Sequence, residues 1–195
     1  PGPTSAPDQY VLDQQQCQAH QAIITPPAIP SSYQATVGKP IGVFDALKAK
    51  KISLQQAIIL ASLAQREART PPHFFLVDST YYNRWQDTGV DPFGYLGADP
   101  AEQYWLGATG GNPWPNLPDT PKNLASNPYN LYRVPGLPPS AIAGPGLNAL
   151  YGAVDIIGTN YRFFFYGCDH QNHYYSDPNS FANGQQQIGL PGVNC

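Results

Sequence analysis

The stretch Ser53–Ala68, SLQQAIILASLAQREA, constrains the fold most, because it carries both the start signal and the apolar face of a helix. Ser53 and Gln56 have the spacing of a capping box, in which the hydroxyl and the amide satisfy N–H groups of the first turn. Leu54, Ala57, Ile58, Ala61, Ala64 and Ala68 recur at helical period, with Leu60 and Leu63 beside them. Pro71 and Pro72 stop the run, since neither donates an N–H and each biases its predecessor away from helix.

Glu67 closes this helix on the same side as Leu60 and Leu63, at the margin of the apolar face. Two readings fit. It is either a solvated helix carboxylate paired with a nearby Arg, which spacing alone favours, or a desolvated acid. Desolvation disfavours the charged form, so an acid held there is suited to proton transfer near neutral pH.

The 195 residues suit one domain with a real core. Only 12% are charged and the net charge is −3, so no electrostatic footprint for nucleic acid or an anionic membrane is present. The low charge, with 13 Tyr and many Asn and Gln, suits an extracytoplasmic protein that handles neutral polar ligands such as carbohydrate; it equally suits a loop-rich secreted domain. No apolar run is long enough to span a bilayer. The opening PGPTSAP reads as a linker or processed end, so any membrane anchor would stand upstream of residue 1. Cys17, Cys168 and Cys195 match no zinc spacing; in an oxidising compartment two can pair, and the sequence does not choose which.

Residues 1–40 form a Pro-rich arm and connecting segment, within which Tyr10–Ile24 has a short helical pattern. The remainder, 41–195, reads as a single compact α+β domain: a few helices packed with a small, mostly antiparallel sheet and long ordered loops. Helices are expected at Gly42–Lys50, at Phe74–Trp85 (a strand being the alternative), at Asp99–Leu106 with Asp99 as N-cap, and at Pro145–Val154. Tyr161–Tyr166 and Asn172–Ser176 suit a hairpin. Residues 86–128 are rich in turn formers, and beyond Ala182 the Gly/Gln-rich tail is expected to be weakly structured.

Several separated motifs line up in order over residues 53–182. LASLAQREA (60–68) resembles L-A-S-I-V-E-K-E-A, Tyr82–Asn83–Arg84 resembles F-x-N-R-L, and LGADPAEQYWLG (96–107) resembles L-x-T-D-P-T-V-x-Y-x-x-G. NPYNLYRVPGLPPSAIAGPG (127–146) is similar to S-P-Y-N-T-Y-x-x-x-G-L-P-P-G-P-I-x-N-P-G, and Asn172–His173–Tyr174 to G-H-x-F. The chain thus resembles the catalytic domain of the MltG-type (YceG-like) endolytic murein transglycosylases. The family often has two acidic residues in the first motif; here Gln65 replaces the first. Ser140 stands where the family prefers Gly, and the LysM-like module that usually precedes the domain has no clear counterpart in residues 1–50.

The resemblance implies cleavage of the β-1,4 bond between N-acetylmuramic acid and N-acetylglucosamine within glycan strands, leaving 1,6-anhydro ends. It implies Glu67 as the one acid and base, no cofactor and no metal, a site in the cell envelope, and peptidoglycan and cell-wall synthases as partners. Asn130 and Tyr132, with Tyr129, are candidate substrate contacts, each with a turn-forming role as its alternative. Asn83 and Gln103 are candidate amides orienting Glu67 or an acetamide; equally, they can satisfy loop backbone. A hydrolase would need a second carboxylate, for which Asp99 is the leading candidate. A binding or scaffold module that has lost turnover is the remaining alternative.

Overall fold

A computed structural model describes residues 43–90, 92–109, 126–156 and 158–191. The expected arm 1–40, its Tyr10–Ile24 helix, Cys17 and Cys195 lie outside these residues. Among the described residues the fold is α+β, with six helices and one two-stranded antiparallel sheet.

Helix α1 (Val43–Lys50) buries Leu47 and turns at Lys51, whose φ is 56°, into α2 (Leu54–Glu67). The capping box forms as expected: Gln56 N–H donates to Ser53 Oγ at 3.1 Å, and Ser53 N–H to Gln56 Oε1 at 2.8 Å. Every residue from Ile59 to Ala64 is buried. The helix is therefore enclosed rather than merely amphipathic; it packs on α3 (Pro71–Gln86), α4 (Asp99–Ala108) and α5 (Leu147–Val154).

Pro71 and Pro72 both stop α2 and open α3, where the first turn needs no N–H. Helix α3 so starts three residues before the expected Phe74. Its face of Phe74, Val77, Asp78 and Tyr81 is buried. Asp99 is not an N-cap: Ala98 holds that position and Asp99 is the first helical residue, which frees its carboxylate for another partner.

Strands β1 (Phe163–Tyr166) and β2 (Asn172–Tyr175) pair antiparallel, with Phe163 opposite Tyr175 and Tyr166 opposite Asn172. Cys168 in their turn is disulfide-bonded. The tail expected to be weakly structured is instead helix α6 (Pro178–Ile188), capped by Asp177, whose carboxylate accepts from Ser180 N–H at 2.9 Å. Its Asn, Ser and Gly residues have poor intrinsic helix signal, and packing on the hairpin decides the outcome. Phe181 meets the Phe163 ring at 5.2 Å, and Gly184 leaves room for Tyr175.

Asp78 is fully buried between α3 and α5, with no hydrogen-bond partner for either oxygen among the described residues. Burial pushes its carboxyl well above the usual carboxylate range, because desolvation disfavours the charged form. It fits because residue 152 is Gly: a Cβ there would lie 2.4 Å from Asp78 Oδ2 and 3.1 Å from the Phe74 carbonyl. Gly152→Ala should therefore destabilise the fold by about 1–3 kcal/mol through overpacking, read as a lower denaturation midpoint.

Candidate functional site

Glu67 is the last residue of α2. Ala68 turns extended (φ −95°, ψ 145°), and Thr70 is extended as the residue before a proline must be. Leu63 and Leu60 are fully buried one and two turns earlier, which puts Glu67 at the rim of the core, partly exposed.

The carboxyl opens on a cleft of about 460 Å³. One wall is α3, through Tyr81 and Arg84. A second is formed by Gly97, Asp99 and Tyr132, and a third by the Phe163–Tyr166 strand with Phe181 and Gln185 of α6. Tyr81 Oη donates to Glu67 Oε1 at 3.0 Å, and Tyr132 Oη donates to Asp99 Oδ1 at 2.5 Å. Gly97 has φ +59°, and a Cβ there would meet Arg84 Nη2 at 3.0 Å and the Tyr132 ring at 3.4 Å. A side chain would thus push two cleft residues apart. Arg84 itself is held by the Tyr95 carbonyl at 2.9 Å and lies over the Phe163 ring.

The Glu67 carboxyl is raised from 4.5 to about 7. Desolvation is the largest cause. The Tyr81 hydrogen bond opposes it, Asp99 adds repulsion, and Arg66 gives a small opposing attraction. Its position at a helix C-terminus, where the peptide dipoles disfavour an anion, acts in the raising direction. The group is thus protonated for a large part of the time at neutral pH.

The remaining sequence candidates are dispersed. Tyr132 lines the Glu67 cleft. Asn130 is fully buried beneath it and uses Oδ1 to accept from the Tyr132 N–H at 3.2 Å, which sets the turn that presents Tyr132. Tyr129 bonds Ser140 through its hydroxyl at 2.7 Å and packs against the Tyr104 and Trp105 rings, outside the cleft. Asn83 donates to the carbonyls of Thr159 and Tyr161 at 2.9 Å each, fastening the loop before β1 and not reaching Glu67. Gln103 lines a neighbouring depression of about 510 Å³ with Arg66, Tyr104 and Ile142. Sequence reasoning did not single out Tyr81 as a site residue. It is core, yet its hydroxyl reaches the acid. The phenol on an otherwise apolar stripe was the available signal. Among the described residues no three His, Cys, Asp or Glu side chains are grouped to hold a metal ion.

Helix α2 also fastens the loop that leads into α5. Ser62 Oγ accepts from Ile142 N–H at 3.0 Å, and Gln65 Oε1 accepts from Gly146 N–H at 2.8 Å, at the start of α5. The residue that replaces an acid is thus an acceptor for a helix N-terminus.

A family model described as the YceG-like family matches residues 5–186. The chain belongs to the YceG-like family. Its fold is similar to that in the crystal structure of a YceG-like protein, lmo1499, from Listeria monocytogenes, with TM-score 0.59 and 19% identity. That likeness covers 72% of this chain and 43% of the Listeria chain, so the present sequence spans less than half of that relative. A comparison with curated proteins gives no match.

For a YceG-like chain built this way, Gln65→Leu should cost about 0.5–1.5 kcal/mol by orphaning the Gly146 N–H. Gln65→Glu should be tolerated, because a carboxylate still accepts that hydrogen bond and suits a helix N-terminus. Denaturation curves of the two variants distinguish them.

Proposed function

We propose that this YceG-like domain is a lytic transglycosylase acting within peptidoglycan glycan strands, with Glu67 as its general acid and base. The observation that carries the reading is the Glu67 carboxyl, raised to about 7 and lining a cleft with aromatic and polar walls. The ordered motifs shared with MltG-type enzymes support the substrate assignment.

In this mechanism protonated Glu67 gives its proton to the glycosidic oxygen as the bond to the muramyl anomeric carbon breaks. The substrate's own N-acetyl group stabilises the cationic carbon. The muramyl 6-hydroxyl oxygen then bonds that carbon and its proton passes to the Glu67 carboxylate, which restores the acid. No water is consumed, and the product is a 1,6-anhydro end. Tyr132, exposing an aromatic face in the cleft, is the substrate contact we favour among the sequence candidates; Asn130 supports it from below. The proposed setting is the cell envelope beside cell-wall synthases, with any membrane attachment supplied upstream of residue 1. Among the described residues no helix is long and apolar enough to cross a membrane.

A muramidase-type hydrolase is the second reading, favoured by one observation: Asp99 lines the same cleft as Glu67. Its Oδ1 is occupied by Tyr132, which suits an electrostatic neighbour better than a group activating water. Mass spectrometry of peptidoglycan digests separates the possibilities. Wild type should release anhydro-muropeptides, and Glu67→Gln should lose them by a factor of about 10² or more. Reducing ends in their place would establish hydrolysis; binding without products would establish a non-catalytic module.

The acid must be protonated to start the reaction, so kcat/KM should fall about tenfold per unit as pH rises above about 7. Stability carries the same signature. The folded state holds a proton on Glu67 that the unfolded chain releases near 4.5, so rising pH between 4.5 and about 7 weakens the fold. Glu67→Gln lacks this penalty. Allowing for the partial exposure of Glu67, it should be more stable than wild type by roughly 1–2 kcal/mol at pH 8, with the gain vanishing at pH 4. Urea denaturation at both pH values measures this.

A further inference from the structure

We propose that Tyr81 is a positioning residue that decides which oxygen of Glu67 does the chemistry: its hydroxyl holds Oε1 as an acceptor, so that Oε2 carries the transferable proton. The inference rests on the reading of Glu67 as the acid.

Tyr81 is 1% exposed and its ring is fixed edge-on to Phe164, with centroids 5.6 Å apart. The hydroxyl has one partner among the described residues, Glu67 Oε1 at 3.0 Å. A phenol has one proton. If Glu67 donated to it instead, that proton would be left in the core without an acceptor, at the cost of an unsatisfied buried donor. The phenol therefore donates in both protonation states of Glu67. In the neutral acid Oε1 is then the carbonyl oxygen and the proton sits on Oε2. Oε2 gives that proton to the leaving oxygen and, as carboxylate, receives the one from the 6-hydroxyl, while the Tyr81 proton stays in place throughout. Burial, together with the neighbouring Glu67 charge, pushes the Tyr81 phenol well above its ordinary range, so it remains a donor over the working pH range.

The other groups around Glu67 do not duplicate this contact. Arg66 on its own helix and Asp99 from α4 act on it through charge. Arg84 from α3 binds the Tyr95 carbonyl, the Tyr132 hydroxyl is committed to Asp99, and the Tyr174 hydroxyl on β2 is engaged with His73 Nδ1 at 2.9 Å.

Tyr81→Phe keeps the ring and removes only the hydroxyl. Carbon-13 detection of the Glu67 side-chain carboxyl should show its titration moving upward by about half a unit or more, since a donor to the anion is lost. The carbonyl stretch of protonated Glu67, taken as the infrared difference from Glu67→Gln at pH 5, should move to higher frequency. In turnover, kcat below pH 6 should drop about tenfold with KM unchanged, and the alkaline limb should shift up with the titration. In the wild type, with no substitution, the Tyr81 Cζ resonance should follow Glu67 with a midpoint near 7. A Glu67 titration and carbonyl stretch unmoved by Tyr81→Phe, or a Tyr81 resonance indifferent to pH, overturns the proposal. These spectroscopic readouts judge the hold of Tyr81 on Oε1 apart from turnover, so that a wild type without anhydro product defeats the functional reading while unmoved spectra defeat the positioning role.

Discussion

The enclosure of helix α2 is the constraint on which the rest of the structure depends. From Ile59 to Ala64 it has no solvent face, so it must be surrounded by α3, α4, α5 and the loop 140–146. Small residues at Ala57, Ala61 and Ala64 let those neighbours come close. Its two polar interior or marginal groups, Ser62 and Gln65, spend their acceptors on backbone N–H groups of that loop. The loop is thereby registered to the helix that carries Glu67.

Enclosure also sets the electrostatics. A helix that ends at the rim of the core leaves its last carboxyl with little water and with the dipole against it. One phenol donor is present to offset this, and the nearby Asp99 works in the other direction. The balance leaves Glu67 close to half-protonated at neutral pH, a condition under which a single group can both donate and accept a proton in turn. A fully solvated Glu would be ionised at pH 7, whereas burial alone, as at Asp78, pushes a carboxyl well above its usual range with no donor to offset it among the described residues.

The hairpin and α6 complete the cleft through aromatic packing rather than through charge. Phe163, Phe165, Tyr175 and Phe181 form one cluster, and Phe164 with Tyr174 reaches back to Tyr81 and His73. The acid's supporting phenol is thus held by the same hairpin that walls the cleft, so acid and wall share one packing unit.

Much of this was legible in the chain. The capping box, the prolines, the helical period of 53–68 and the hairpin follow from local chemistry: which backbone groups a side chain can satisfy and which dihedrals a residue permits. The ordered motifs carried the family. Less legible were α6, whose Asn, Ser and Gly speak against a helix until Phe181 and Gly184 are seen against the hairpin, and the role of Asp99, whose place before Pro100 suggested a cap. Asn83 and Tyr129 are site candidates by chemistry because amides and phenols serve several uses; the partners the fold gives them are Thr159 and Tyr161, far along the chain, and Ser140 in the following loop. By itself, then, the sequence determined most of the helices, the capped start of α2 and the one acid at the margin of an apolar face, since all of these are set by neighbours within a turn or two. Only the tertiary structure decided how much water Glu67 keeps and that Tyr81, fourteen residues on, holds one of its oxygens, because desolvation and hydrogen-bond partnership depend on which distant surfaces come together.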